Sequence, residues 1–386
     1  MEVKKCRLIG LLAGTMLSSW VVKGQDSLVM VKALQRLSAP AMHGRGYVQG
    51  GLDSAANFLV QQLTGLGLKV QQQHFSFPVY TYPGRASLAI NGKAMQPGKD
   101  FIMGPASRGF DGYAKLEEMD STGWISRENA VILTPVKKLT WTVSTMQESY
   151  THFQVREDAL PKTVSGLQAT VDVQFIRSFP SRNIIATVPG RRQKDSTIVF
   201  TAHYDHLGML GKEAVFPGAN DNASGTAFLL ALAQRVKAEP LDYTAVFLFF
   251  SGEEAGLLGS QYYVKHPLLP LKNIRFLLNL DMMGNGDEGI TVVNATVFEK
   301  EFALLQQINA EGKYLNAINS RGKAQNSDHY YFTEKGVPSF FWYTLGKRKA
   351  YHDVHDVAET VPYYEANDLV QCILEFSKQV ILLPKK

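Results

Sequence analysis

Imidazole and carboxylate side chains stand at the ends of apolar segments in the second half of the sequence. The side chains that follow the segments TIVFTA, AVFLFFSG and FLLNL are, in order, His203 with Asp205, Glu253 with Glu254, and Asp281. Runs this short and this apolar predict buried strands, after which acidic residues are uncommon unless they have partners. Nitrogen and oxygen donors without a cysteine suit zinc. These residues are therefore candidate metal ligands.

A further carboxylate lies at the start of a predicted helix. Asp221 belongs to the segment GANDNASG, directly before the helical pattern of residues 224–236, where backbone N–H groups can hold a carboxylate in place. The number of candidate donors exceeds the need of one zinc, since three protein ligands leave a position open for water. A bridging carboxylate with two ligands on each side fits a pair of ions about 3.5–4 Å apart. The pattern thus predicts two zinc ions.

Each candidate also has an ordinary explanation when it is taken alone. A histidine after a strand is more often a hydrogen-bonded loop residue than a ligand, and a Glu-Glu pair is usually solvated charge. The convergence of several donors at one sheet edge is what favours a metal centre. Asp205 is interpreted as an acid that accepts a hydrogen bond from the other nitrogen of His203 and fixes its tautomer. A turn-capping aspartate is the alternative.

Strand-like and helical segments alternate from residue 183 onwards. The predicted strands read NIIATVPG, STIVFTAHYD, YTAVFLFFSG, IRFLLNLD, ITVVNA and SFFWYT, and the predicted helices cover residues 224–236, 256–265 and 299–311. Apolar strands separated by helices indicate an α/β fold, in which a mostly parallel mixed sheet has helices on both faces. Molecules and ions that bind to such sheets lie beyond the carboxyl ends of the strands. The candidate metal-binding side chains follow the strands at these ends.

Residues 78–170 have a different pattern from the rest of the chain. The turn dipeptides NG and PG separate short alternating segments there, which indicates a small β-rich insert. The larger domain then comprises residues 25–77 and 171–386. Its first part shows helical spacing of apolar residues over residues 27–37 and 52–66.

The first 24 residues have the features of a secretory signal. Basic residues precede the apolar run of residues 8–22, and Val22 and Gly24 are residues that a signal peptidase accepts. We expect cleavage and export to the periplasm or the extracellular space. A membrane anchor and an ordinary helix are the alternatives. The apolar run is too short for an anchor, because a span needs about 20 apolar residues. After cleavage, no membrane span is expected. Cys372 would then be the remaining cysteine, which excludes an internal disulfide.

Composition excludes several classes of protein. Of the 386 residues, 45% are hydrophobic and 19% are charged, which is typical of a packed globular chain and excludes disorder and coiled coil. The formal net charge of +5 is small for this length. Lysine and arginine form no stripe, so nucleic acid is not an expected partner.

A set of motifs carries a family resemblance. The segments HYD, GANDNASG, SGEEAGLLGS, NLDMMG, SDHYYF and YHDVHD occur in this order. The set resembles the two-zinc aminopeptidase family, which includes bacterial leucyl aminopeptidases and, more distantly, glutamate carboxypeptidase-like metallopeptidases and the transferrin receptor ectodomain. The resemblance implies a zinc-dependent exopeptidase that hydrolyses the N-terminal peptide bond of peptides through a water held between the metals.

The resemblance also implies a role for each residue. The implied ligands are His203 and Asp281 for one zinc, Glu254 and His352 for the other, and Asp221 as the bridge, with a cis peptide bond to Asn222 as in relatives. Glu253 would be the general base, and Tyr351 would help to stabilise the oxyanion. Relatives read Tyr-His and, a few residues later, Asp, which favours His352 because Asp356 follows it. His355 is the alternative ligand.

Other functions share this fold. A glutaminyl cyclase would be an acyltransferase with one zinc, and a receptor-like ectodomain would keep the fold without catalysis. An endopeptidase or a carboxypeptidase is a narrower alternative, because the motifs report the metal chemistry rather than the end of the peptide that is bound. The insert lies where relatives carry a lid-like protease-associated domain, which would make it a lid. The alternative is that the insert is only a structural addition to the fold.

Overall fold

The computed structural model describes residues 27–120 and 122–384. The expected secretory signal of residues 1–24 lies outside these ranges, and N-terminal sequencing of the exported protein would check it. Within the described ranges, no helix combines the length and the apolar character that crossing a membrane requires.

Strands occur throughout the described chain. In order they are β1 (Lys69–Thr81), β2 (Ala86–Ile90), β3 (Lys93–Met95), β4 (Phe101–Met103), β5 (Phe110–Lys115), β6 (Glu117–Met119), β7 (Gly123–Ser126), β8 (Val131–Val136), β9 (Thr151–Arg156), β10 (Gly166–Val171), β11 (Gln174–Val188), β12 (Gln193–His203), β13 (Gly208–Leu210), β14 (Ala214–Phe216), β15 (Tyr243–Phe250), β16 (Ile274–Leu280), β17 (Ile290–Val293), β18 (Ile318–Ser320) and β19 (Ser339–Thr344).

Helices separate the strands of the larger domain. The α-helices are α1 (residues 27–37), α2 (Gly51–Gly65), α3 (Gly225–Ala238), α4 (Leu258–Lys265), α5 (Glu299–Gly312), α6 (His329–Glu334) and α7 (Ala366–Val380). Short 3-10 turns cover Pro40–Arg45, Glu157–Ala159, Leu271–Asn273 and Ala358–Thr360, and a π-type turn covers Ala219–Ser224.

The main sheet is eight-stranded, in the order β1-β11-β15-β12-β16-β19-β17-β18. Strands β15, β12, β16 and β19 are parallel neighbours at its centre. Antiparallel pairs join β1 to β11, β11 to β15 and β17 to β19. The predicted fold class, a mostly parallel mixed sheet in an α/β protein, is confirmed.

Both faces of the main sheet are covered by helices. Alternate residues of a strand point to opposite faces, and β12 follows this rule. Its Ile198 and Phe200 lie in the larger apolar cluster with residues of α1, α2, α3, α5 and α7. Val199 lies in a second cluster with Tyr263 of α4 and Phe332 of α6. Burial on both faces explains why the central strands are apolar at successive positions.

The predicted β-rich insert contains two sheets of its own. Their orders are β3-β2-β10-β5 and β4-β9-β8-β7-β6. A separate apolar cluster fills the insert and also includes Leu210 and Phe216 of the β13–β14 hairpin, so the insert packs against the larger domain. Strand β1 runs beyond the predicted boundary after residue 77, and its Thr81 still pairs with Gln174 of β11. The domain boundaries themselves stay a prediction.

Candidate metal centre

Three neighbouring parallel strands deliver donors to one edge of the main sheet. Strand β12 ends at His203, Asp281 follows the last residue of β16, and the Glu253-Glu254 pair follows β15 after a two-residue turn, Ser251-Gly252. The side chains are almost entirely enclosed, with 1% of His203, 8% of Asp281 and 4% of Glu254 exposed. The expected convergence at the carboxyl ends of the strands is present.

Asp221 lies between two imidazoles. Its Oδ1 is 3.4 Å from Nε2 of His203, and its Oδ2 is 3.0 Å from Nε2 of His352. Each imidazole faces a second carboxylate as well: Asp281 Oδ2 lies 3.4 Å from His203 Nε2, and Glu254 Oε2 lies 3.3 Å from His352 Nε2. The five candidate ligands therefore form two half-sites that share Asp221. We call them the His203 half-site and the His352 half-site.

The predicted base lies beside the His203 half-site. Oε2 of Glu253 is 3.9 Å from Nε2 of His203, and 13% of the Glu253 side chain is exposed. Burial raises the pKa of Glu253 well above its ordinary value, and the carboxylates of Glu254 and Asp328 add to this against the opposing effect of His203. Glu253 thus holds a proton more readily than an ordinary glutamate does.

The ligand carboxylates differ in electrostatic environment. Burial raises the pKa of Asp281, in spite of the nearby imidazole of His203. Burial would also raise the pKa of Asp221, but hydrogen bonds from His203 and His352 outweigh it and hold that pKa well below its ordinary value. Asp221 therefore stays ionised more readily than Asp281, as a shared ligand must.

The donor set fits zinc. Four carboxylates, those of Asp221, Glu253, Glu254 and Asp281, surround two imidazoles, and none of the four side chains is more than 13% exposed. Such a cluster is costly unless cations compensate it. Within the described part of the chain, Asp281 Oδ1 is buried and accepts no hydrogen bond. Imidazole and carboxylate donors with no thiolate are typical of zinc centres.

Asp205 lies next to the candidate ligands and contacts more groups than the predicted partner, His203. Its Oδ1 is 3.6 Å from Nδ1 of His203, while its backbone oxygen is nearer to that nitrogen, at 3.3 Å. Its carboxylate accepts hydrogen bonds from the hydroxyl of Tyr47 at 2.6 Å and from the backbone N–H groups of Glu253 and Glu254 at 3.3 and 3.2 Å. Asp205 thus connects the His203 loop to the glutamate pair. Its role in setting the tautomer stays a prediction.

His206 is a site residue that the sequence analysis did not identify. Its Nδ1 lies 2.6 Å from Oε1 of Glu254, and its ring is 5.7 Å from that of His352. Gly218, at φ +57°, passes directly over the ring, because a Cβ there would lie 2.3 Å from His206 Cδ2. The position of His206 in the HYDH segment, on the same loop as His203, was the available signal.

A buried arginine supports the two loops beneath the centre. Arg45 is 0% exposed. Its guanidinium donates hydrogen bonds of 2.7–3.3 Å to the carbonyl oxygens of Leu37, Tyr204, Pro217, Gly218 and Asp221. Burial lowers the pKa of Arg45 to about 10, against the opposing effect of nearby carboxylates such as Asp356. Nothing in the local sequence marks Arg45 as part of the site.

Asp356 holds the Asp221 turn from the other side. Its carboxylate accepts hydrogen bonds from the backbone N–H groups of Asn220 at 2.7 Å and Asp221 at 3.0 Å, and from Arg348 at 2.5 Å. The Asp221–Asn222 peptide bond is cis. These contacts present the Asp221 carboxylate to both half-sites.

The structure separates the two histidines that the sequence left as alternatives. His352 is 7% exposed and belongs to the cluster, whereas His355 is exposed. The ring of Tyr351 stacks on that of His352, with centroids 4.0 Å apart, and 41% of Tyr351 is exposed. Tyr351 therefore lies beside the cluster and is partly exposed to solvent, and its role toward an oxyanion stays a prediction.

Fold and donors together define an α/β protein with a candidate metal centre at the carboxyl edge of its main sheet. The chain belongs to Peptidase family M28, whose sequence pattern matches residues 183–377, just over half of the chain. The matched region contains all five candidate ligands and Glu253, and it begins after the insert.

Three matches illustrate the similarity. Aminopeptidase YwaD of Bacillus subtilis is 32% identical over 215 residues, which cover 53% of this chain and 46% of that protein. The structure of a zinc aminopeptidase from Bacillus subtilis has a TM-score of 0.69 at 21% identity, covering 90% of this chain and 94% of that chain. A glutaminyl cyclase from Porphyromonas gingivalis has a TM-score of 0.53 at 14% identity, covering 90% and 98%. These structures show the fold.

The similarity in sequence does not extend over whole proteins. The chain covers 46%, 59% and 54% of the length of three curated relatives, all of them named as aminopeptidases. It spans about half the length of the curated relatives that it matches.

Proposed function

We propose that the chain is a zinc-dependent aminopeptidase that holds two zinc ions. The observation that carries this proposal is the position of Asp221, whose two carboxylate oxygens face different imidazoles, each with a further carboxylate beside it. A bridging carboxylate between two sets of ligands is the arrangement that a pair of metal ions needs. Membership of Peptidase family M28 supports peptide-bond hydrolysis as the reaction.

The proposed ligands divide between the half-sites. His203 and Asp281 would hold one ion, His352 and Glu254 the other, and Asp221 both. Zinc supplies Lewis-acid polarisation of a carbonyl group and lowers the pKa of a water molecule that it binds to about 7.

Two further residues would act on the substrate. Glu253 would accept a proton from the attacking water and return it to the leaving amine, a role that its partial exposure and raised pKa suit. Burial raises the pKa of Tyr351 and the carboxylates of Asp221 and Glu254 add to this, so its hydroxyl keeps its proton and can donate a hydrogen bond to the developing oxyanion.

The preference for the amino end of the peptide rests on the relatives. Aminopeptidase YwaD and two leucine aminopeptidases are among the proteins that match in sequence. We therefore propose peptides with a free N-terminus as the substrate class.

A digest of a peptide library tests the proposal. The purified protein is incubated with free peptides and with N-acetylated copies of the same peptides, with and without a chelator, and products are identified by mass spectrometry. We expect stepwise loss of N-terminal residues from the free peptides, resistance of the acetylated copies, and loss of activity with chelator that zinc restores. Cleavage inside the peptides or at their carboxyl ends would contradict an aminopeptidase.

Zinc content separates the proposal from its main rival. The fold is shared with a glutaminyl cyclase, for which one zinc and cyclisation of N-terminal glutamine are expected. Elemental analysis of the dialysed protein should give two zinc ions per chain. One ion together with cyclised products would favour the cyclase. A protein that neither cleaves nor cyclises any peptide, with or without added zinc, would favour a non-catalytic ectodomain.

A further inference from the structure

The segment that carries His352 is held in its middle by the insert. This segment, residues 345–357, contains no helix or strand and is here called the His352 segment. Its ends are bonded to the larger domain: the N–H of Gly286 donates to the oxygen of Leu345 at 3.0 Å, and the N–H of Ala219 donates to the oxygen of Asp356 at 3.0 Å. Between these ends, the backbone of the segment is hydrogen-bonded to Lys138 and Trp141 of the insert.

Trp141 of the insert makes two reciprocal hydrogen bonds with His352. The N–H of Trp141 donates to the backbone oxygen of His352 at 2.9 Å, and the backbone oxygen of Trp141 lies 2.8 Å from Nδ1 of the imidazole. Because a carbonyl can only accept, Nδ1 must carry the hydrogen. The other nitrogen, Nε2, faces Asp221 and Glu254 and is the atom that would bind a metal.

The backbone of His352 needs this support. Its φ is +53°, in the left-handed region that side chains other than glycine seldom adopt and that surrounding contacts must stabilise. The reciprocal bonds to Trp141 fix both the backbone and the ring of His352. An error in either would move Nε2 away from the shared carboxylate.

Lys138 adds a second attachment to the same segment. Its ammonium donates to the backbone oxygens of Lys349 at 2.9 Å and Tyr351 at 3.3 Å, and it lies 3.2 Å from Oδ2 of Asp353. Asp353 is buried and accepts hydrogen bonds from the N–H groups of Tyr351 and His355. Lys138 therefore closes a small network that shapes the segment on both sides of His352.

The side chain of Trp141 fixes this attachment to the body of the protein. It is 2% exposed, and its ring lies 4.5 Å from that of Phe216 and 5.8 Å from that of Tyr82. Phe216 ends strand β14, shortly before Asp221. The insert thus contacts both the strand that leads to the shared ligand and the segment that carries His352.

We propose that Lys138 and Trp141 are positioning residues through which the insert sets the zinc affinity of the His352 half-site. The two ligands that are specific to the His203 half-site, His203 and Asp281, lie at the ends of strands β12 and β16 and make none of these contacts. The inference rests on the proposed two-zinc function. It makes the insert a part of the metal centre, in addition to any role in covering the active site.

Stepwise zinc affinities test this inference. The zinc-free wild type, Trp141→Ala and Lys138→Met are titrated with zinc against a chromophoric chelator, so that two binding steps are resolved. Trp141→Ala removes the ring that fixes the backbone bonded to His352, and Lys138→Met removes the second attachment. We expect both variants to weaken one step by about 10- to 100-fold, the usual effect of disturbing a group that orients a ligand, and to leave the other step unchanged. Trp141→Phe keeps an aromatic ring against Phe216 and should restore most of the affinity.

The chain offers a matched control for each variant. Trp124 is a half-buried tryptophan in strand β7 of the same insert, and Lys137 is the exposed neighbour of Lys138. Trp124→Ala and Lys137→Met should leave both zinc-binding steps unchanged. Nitrogen-15 spectra of labelled histidine add a direct readout, since the hydrogen on Nδ1 of zinc-bound His352 should exchange faster with solvent in Lys138→Met than in the wild type.

Each outcome bears on a different statement. The role of the insert would be overturned if Trp141→Ala and Lys138→Met both bound zinc with the two wild-type affinities, or if they lost affinity equally at both steps. Either result would leave the two-zinc centre intact. Fewer than two zinc ions in the wild type would overturn the proposed function and this inference with it. If Trp141→Ala does not fold, Lys138→Met decides alone. The side chain of Lys138 is 48% exposed, so its replacement should not prevent folding.

Discussion

At the scale of single residues, the two adjacent glutamates are distinguished by what their carboxylates contact. Glu254 is held at both oxygens, by His206 at 2.6 Å and by His352 at 3.3 Å. Glu253 is partly exposed, and its Oε2 lies 3.9 Å from Nε2 of His203. A ligand must be fixed, whereas a proton carrier must reach the substrate and move between two atoms. The contacts thus suit Glu254 to metal binding and Glu253 to proton transfer.

Substitution of each glutamate by glutamine should give different results. Glu253→Gln removes the proton acceptor and keeps the volume, so we expect kcat to fall by about 100- to 10,000-fold with unchanged zinc content. Glu254→Gln should lose zinc as well as activity, because a neutral amide is a poor ligand. Steady-state kinetics and elemental analysis of the same preparations would check both expectations. Zinc loss from Glu253→Gln with retention in Glu254→Gln would mean that the two roles are exchanged.

At the scale of elements, the central parallel strands explain why the donors meet. Strands β15, β12 and β16 are adjacent, so the residues after their carboxyl ends lie side by side without any further device. Asp221, by contrast, lies in a turn between β14 and α3 and needs outside support. The turn receives this support from Arg45 on one side and Asp356 on the other.

This difference also explains how far the sequence could predict the site. An apolar run that ends in a donor indicates both a strand and a candidate ligand, so His203, Glu254 and Asp281 could be predicted from the sequence. The supports are not, because they act on backbone carbonyls, which every residue type has. Arg45 binds the oxygen of Tyr204 across 159 positions, and Trp141 contacts His352 across 211. No local pattern encodes such a contact.

Arg45 gives a prediction at this scale. Arg45→Met keeps the apolar stem but leaves buried carbonyl oxygens without a donor, at about 1–3 kcal/mol each. We expect the free energy of unfolding to fall by roughly 4 kcal/mol or more, a loss typical of a broken buried network. Urea unfolding of the zinc-loaded protein would measure it. Arg45→Lys should recover only part of the loss, since an ammonium cannot reproduce the planar fork of donors.

The control for this prediction lies nearby in the sequence. Arg36 is exposed on helix α1, so Arg36→Met should change the free energy of unfolding by no more than about 0.5 kcal/mol. Unfolding of Arg45→Met at the wild-type urea concentration would show that the turn carrying Asp221 is stable without the guanidinium.

At the scale of the whole molecule, the centre joins parts that have separate cores. The larger domain and the insert each have their own apolar cluster. The proposed ligands come from the main sheet, from the Asp221 turn and from the His352 segment, and the last of these is bonded to the insert. Metal binding should therefore stabilise the packing of these parts against one another, as well as the site itself.

Removal of metal should for this reason lower the stability of the whole chain. Zinc that binds the folded state alone adds RT ln(1 + [Zn]/Kd), about 4 kcal/mol at a free concentration 1,000 times Kd, and the buried carboxylates lose their compensating charge when it leaves. We expect the zinc-loaded protein to unfold at a clearly higher urea concentration than the chelator-treated protein, and re-added zinc to reverse the change. Asp221→Asn, which weakens the ligand shared by both half-sites, should make unfolding nearly independent of zinc. Coincident wild-type unfolding curves with and without chelator would contradict a resident metal centre, since the same donors would then be stable as a cluster of acids and imidazoles alone.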